Sequence, residues 1–238
     1  MSYLKQYDSK PLLNLEKRIF PSDNPFGFPN IPAFTDYDSC EWIGFNYAKM
    51  CKNPQNMGCH FFLEDYMFAR TFNTPDKYIR ILQSFKYVLA PDFSMYADVA
   101  MAVNLFNKYR KHWLAAYWVE NGINVIPCIS WMGKDSYSWC FDGEPKNSVV
   151  AISTVGTQGN KECMNTFLDG YLEMLERLTP IKVLVFGLVP EEIKSELIIE
   201  CGCFQQRFDK LKKQKQVEDE IFSLKPTNNN FEKFDTDL

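Results

Sequence analysis

A chain of 238 residues, 46% apolar and 16% aromatic, can bury one large core and is not disordered over most of its length. Its 26 basic and 30 acidic residues give a formal charge of −4, which argues against extended nucleic-acid binding. Eight cysteines without a C-x-x-C pair, no basic-apolar leader and no long apolar run lead to the expectation of a reduced, cytoplasmic protein without a membrane span.

Residues 1–40 carry five prolines between Pro11 and Pro32, interleaved with Phe26, Phe28, Ile31 and Phe34. Proline at that density blocks regular structure while the aromatic side chains seek burial, so an irregular arm packed on the core is expected. Residues 41–203 read as a single α/β domain. Short apolar strands recur and stop at polar residues. Trp42–Phe45 leads to Asn46, Cys59–Leu63 to Glu64 and Asp65, and Tyr87–Ala90 to Asp92 and Ser94. Val125–Ile129 leads to Ser130 and Trp131, Val149–Ile152 to Ser153 and Thr154, and Val183–Phe186 to Gly187. Leu197–Ile199 is a weaker seventh strand. Several runs lack alternation, as parallel strands covered on both faces do.

Between the third and fourth strands, Val99, Val103, Phe106, Tyr109, Trp113 and Tyr117 recur at helical steps. They predict a helix burying that stripe, with Asn104, Lys108 and Lys111 off it, ended by Asn121-Gly122. A second helix is predicted from about Lys161 to Leu178, stopped by Pro180. Such alternation implies a parallel sheet forming a partial or distorted β/α barrel, or alternatively an open doubly wound sheet. Residues 204–238 read as a basic helix around Lys210–Lys215 and a frayed tail.

In a parallel sheet the strand ends share one face of the molecule, where ligands bind. That gathers Asn46, Glu64, Asp65, Asp92, Ser94, Ser130, Trp131, Ser153 and Thr154. Asp65 and Asp92 are candidates to hold a divalent cation such as Mg²⁺ or Mn²⁺ or to divide acid and base roles, with Asn46 and Ser94 orienting. The bland alternative is that both carboxylates cap the helices after them. In Ser153–Lys161, Gly156 and Gly159 let the backbone turn so that N–H groups at a helix start meet an anion; an unliganded turn is the alternative. The spacing is not that of a Walker loop.

Trp131–Gly143 is an aromatic loop in which Trp131 could stack on a ligand ring and Asp135 supply charge. A lid packing its aromatics onto the barrel rim is the preferred reading. Cys51, Cys59 and His60 lack the spacing of a zinc finger and read as buried side chains. With only His60 and His112 in the chain, a histidine-activated nucleophile has little support.

Phe45–Lys49, His60-Phe-Phe with Glu64-Asp65, Ala90–Ser94, Tyr117-Trp118, Val125-Ile-Pro with Ser130-Trp131, Cys140–Gly143 and Ala151–Gly156 together resemble a family, the domain of unknown function 4417. The resemblance runs from about Trp42 to Gly187. It implies a bacterial, phage or other mobile-element setting and carries no activity to transfer. The residues themselves lead to the expectation of an enzyme acting on a phosphate-bearing ligand, a nucleotide or nucleic-acid end. The rival is a non-catalytic mobile-element protein that binds a host or replication protein.

Overall fold

Seven parallel strands make the framework among residues 13–201, the residues described in the computed structural model. They are β1 (Glu41–Gly44), β2 (Met57–His60), β3 (Tyr87–Leu89), β4 (Val125–Ile126), β5 (Val149–Ser153), β6 (Lys182–Phe186) and β7 (Ile198–Cys201). Between them lie the short helices α1 (Asp65–Phe68), α2 (Arg70–Asn73) and α3 (Asp76–Leu82), and the long α4 (Met101–Glu120) and α5 (Lys161–Leu178). The basic run and tail expected over residues 204–238 lie outside the described residues.

The strands form two sheets, β1-β2-β3-β4 and β5-β6-β7, every pairing parallel. A parallel bridge between Cys128 and Ala151 joins them just past β4. There Ile129 N donates to Ala151 O at 2.8 Å and Ala151 N to Pro127 O at 2.8 Å. The order follows the chain without the reversal that a doubly wound sheet requires. Curvature brings Trp42 of β1 edge-on to Phe186 of β6, with ring centroids 5.3 Å apart. This is a partial barrel. No hydrogen-bonded pairing closes β7 onto β1 among the described residues.

Side chains alternate between two buried environments, which is why the strands read as unbroken apolar runs. Leu89, Ile126, Val149, Ala151, Leu184 and Phe186 fill the inner side. Val88 and Val125 pack with Trp113, Leu114 and Trp118 of α4, while Val150, Ile152, Val183 and Val185 pack with Phe167, Tyr171 and Met174 of α5. Upstream of β1, Phe28 and Ile31 are buried. Ile31 N donates to Gly143 O at 2.9 Å and Trp113 Nε1 to Arg18 O at 3.0 Å.

α5 spans Lys161–Leu178, the predicted interval, opened by Asn160, whose Oδ1 accepts from Cys163 N at 2.8 Å. α4 corrects its prediction. Val99, just before it, and Val103 and Phe106 within it are exposed, whereas Asn104, Asn107, Lys108, Lys111 and His112 are buried beside Trp113 and Trp118. Two stripes run along this helix, one apolar and one polar, and periodicity alone does not tell which faces the sheet. The polar stripe faces inward because a carboxylate is waiting there.

That carboxylate is Glu144, fully buried. It enters the interior directly after Gly143, which has φ +72°. A side chain at Gly143 would have its Cβ 2.9 Å from Pro29 O and 3.0 Å from His112 Nδ1, so both the turn and the close approach demand glycine.

Candidate functional site

At the C-terminal ends of β3, β4 and β5 lies a cavity of about 660 Å³. Three segments line it: Asp92–Asp98 after β3, Ile129–Met132 after β4, and Ser153 with Val155–Thr157 after β5, closed by Glu162, Cys163, Thr166 and Phe167 of α5. Of the sequence-predicted site residues, Asp92, Ser94, Trp131, Ser153 and Gly156 meet here.

The segment after β3 is held from both sides. Asp65, in the first turn of α1, accepts from Ser94 N at 3.1 Å and Ser94 Oγ at 2.9 Å, and pairs with Arg110 of α4 at 3.3 Å. Asn107 Nδ2 donates to Ser94 O at 2.5 Å. Asn104 accepts from Tyr96 N at 3.1 Å and donates to Tyr96 O at 2.8 Å. Asp65 therefore neither caps α1 nor lines the cavity; it anchors the loop that does. Capping fails for Asp92 also, because the next helix starts nine residues on, at Met101. Among the described residues no group of three or more His, Cys, Asp or Glu gathers in a metal-binding arrangement. Asp65 is engaged with Ser94 and Arg110.

Asp92 lines the cavity. Burial pushes its carboxyl up to about 6, against the pull of the Lys111 ammonium and a contact from Cys128 Sγ to Oδ1 at 3.6 Å, with Asp65 adding a further upward push. A carboxyl poised near neutrality can give or take a proton. Ser94, Ser130 and Ser153 bring hydroxyls to the same cavity, although the Ser153 hydroxyl accepts from Val155 N at 3.2 Å.

Trp131 forms an aromatic wall, its ring 5.6 Å from that of Phe167. The helix opposite makes room for it: a Cβ at Gly170 would lie 2.1 Å from the indole nitrogen. Glycine inside a helix costs about 1 kcal/mol relative to alanine, and here that cost admits the indole. The rest of the aromatic loop is structural. Tyr137, Trp139, Cys140 and Phe141 are buried against Phe167, Tyr171 and Met174.

Other expected residues fall elsewhere. Asn46 is exposed in the 3-10 turn Phe45–Met50, outside the cavity lining. Thr154 is buried and turned toward β6, its hydroxyl donating to Leu188 O at 2.8 Å. Gly159 is not in the lining. Asp135 borders a separate, smaller cavity of about 190 Å³ with Val99, Met101 and Asn104. Cys51 contacts Met57 Sδ at 3.6 Å, and Cys59 and His60 are buried in β2.

What the sequence reading missed lies behind the cavity. Glu144 Oε1 accepts from Lys108 Nζ at 3.2 Å and Lys111 Nζ at 3.0 Å, with His112 Nε2 2.9 Å away. Lys108 also donates to Cys140 O at 2.9 Å and meets His112 Nε2 at 2.8 Å. Pro29 O, 2.8 Å from His112 Nδ1, can only accept, so Nδ1 carries a ring proton. Burial and the neighbouring lysines hold His112 down at about 4; burial takes Lys108 down to about 8. Burial works against the charge of Glu144, but the two lysines outweigh it and hold the carboxyl well below its usual range. The one signal in the sequence was the polar stripe Asn104, Lys108, Lys111 and His112, as regular as the apolar one.

A parallel, partly closed α/β sheet with a cavity at its strand ends belongs to a class of folds in which that face is the usual place for a ligand site. Within that class the chain belongs to the family described as Domain of unknown function (DUF4417), whose model matches residues 20–204. It is 33% identical over 178 residues to the Gene 1 protein of Mycobacterium phage D29, covering 74% of this chain and 65% of that protein. It is 38% identical over 178 residues to the Gene 1 protein of Mycobacterium phage L5, covering 74% of this chain and 77% of that protein. The matched part thus falls just short of two thirds of the D29 protein. No solved structure matches the chain. Among the described residues no helix is long and apolar enough to cross a membrane.

Proposed function

We propose that the strand-end cavity is the site of an enzyme acting on a phosphate-bearing ligand, a nucleotide or nucleic-acid end, with Asp92 as proton donor or acceptor. The observation that carries this reading is a carboxyl poised near neutrality in the lining of a cavity of about 660 Å³, which three serines and an aromatic wall also line. Trp131 offers a surface for a planar ring, and the backbone of Val155–Thr157, turning through Gly156 at φ +82°, offers N–H groups to phosphate. Among the described residues the lining contains Asp92, Asp98 and Glu162 but no lysine or arginine. A phosphate ligand would therefore bind best with its charge already offset, as a nucleotide complex with Mg²⁺ or Mn²⁺ is.

The test is thermal stabilisation of the purified protein by nucleotides and short oligonucleotides, with and without Mg²⁺ or Mn²⁺. A shift of several degrees at saturation, stronger with the cation and lost in Asp92→Asn, is expected. No shift with any of these ligands would refute the reading.

A second reading, a non-catalytic protein that binds a host or replication protein, draws on one feature. Tyr96, Val99, Met101, Val103 and Phe106 are all exposed within eleven residues at the cavity rim and the start of α4. Loss of partner capture in Val103→Glu, with no ligand shift, would favour it.

A further inference from the structure

Lys108 and Lys111, both buried, share a single carboxylate oxygen, Oε1 of Glu144, while Oε2 has no hydrogen-bond partner. With His112 neutral, the group holds two positive charges and one negative. The next carboxylate is Asp92, and Cys128 connects the two: Lys111 Nζ donates to Cys128 O at 2.5 Å, and Cys128 Sγ contacts Asp92 Oδ1 at 3.6 Å. We propose that Lys111, clamped behind the cavity by Glu144 and the Cys128 carbonyl, is a positioning residue that sets the charge on Asp92. The proposal rests on the reading of Asp92 as the group that meets the ligand.

The charges that face Asp92 can be named element by element. Lys111 comes from α4, Cys128 from the segment after β4, and Asp65 from the start of α1, itself paired with Arg110. Lys111 faces Glu144, Cys128 and Asp92. Glu144 faces Lys108, Lys111 and His112. Ionised Asp92 completes a neutral set of two ammonium and two carboxylate groups; protonated Asp92 leaves one buried positive charge unbalanced. Burial favours the acid and Lys111 favours the carboxylate, and the two oppose each other where solvent screens little.

The experiment is a pH titration of Asp92 in the ligand-free protein, followed by ¹³C NMR of labelled aspartate carboxyls and assigned with Asp92→Asn. In Lys111→Met the midpoint rises by about one pH unit or more; in Lys111→Arg it stays close to the parent value. In Glu144→Gln it falls, because the lysines lose their competing anion. Opposite movements in Lys111→Met and Glu144→Gln are beyond a merely structural role, since loosening would move both the same way. An unchanged midpoint in Lys111→Met, or a shared direction in the two variants, overturns the proposal. Should Lys111→Met not fold, a midpoint in Glu144→Gln that is unchanged or raised does so. Because no ligand is used, coupling observed in a protein that binds no nucleotide would refute the proposed function and leave this inference standing.

Discussion

Acid should weaken this protein through both of its histidines. His60 is buried between Phe62 and Phe186, its Nδ1 unpartnered, and burial alone lowers it to about 4. His112 is lowered to about 4 by burial and by the lysines beside it. Between pH 6.5 and 4 the unfolded chain takes up both protons and the folded chain does not, so stability falls with pH through that window. Each histidine costs about 2 kcal/mol on going from pH 7 to pH 5. Asp92 acts in the opposite sense: its folded value is raised, so neutralisation favours the folded state as pH falls through about 6, returning about 1 kcal/mol over the same interval. The net loss of about 2–3 kcal/mol is a large part of a typical domain's stability. Replacing His60 by leucine removes one of the two acid-sensitive terms. Urea unfolding followed by tryptophan fluorescence at pH 7 and pH 5 should show the drop shrinking by about 2 kcal/mol in His60→Leu, whatever the packing change costs at pH 7. Equal drops in parent and variant would refute the reasoning.

Two further outcomes follow from the site's construction. Gly170→Ala places a methyl group where the Trp131 indole lies, and should cost about 1–3 kcal/mol although alanine is the better helix former; thermal melts check it, and a stabilised variant would mean the indole moves freely. Asp65→Ala removes the acceptor of two hydrogen bonds from Ser94 and the partner of Arg110, and should cost about 1.5–3 kcal/mol. A neutral or stabilising effect there would instead mark Asp65 as a strained site carboxylate.

The framework was legible in the residues alone. Both faces of each parallel strand are covered, so the strands stand out as unbroken apolar runs, and all their ends share one face. From that alone the cavity's place was legible, along with Asp92, Ser94, Trp131, Ser153 and Gly156 on its wall. α5 was legible because its apolar stripe has no polar rival and Asn160 and Pro180 mark its limits. Which way side chains turn, and what meets them, emerged only on folding. Thr154 follows Ser153 directly yet turns toward β6. Asp65 shares the strand-end face but is consumed by Ser94 and Arg110. The inward face of α4 depended on Glu144, which follows a turn 24 residues beyond the end of that helix. A lysine stripe is normally a solvated face, because burying an unpaired charge is prohibitive. Only when the chain folds Glu144 onto Lys108, Lys111 and His112 does that stripe become part of the interior, and no local pattern carries information about a partner so distant.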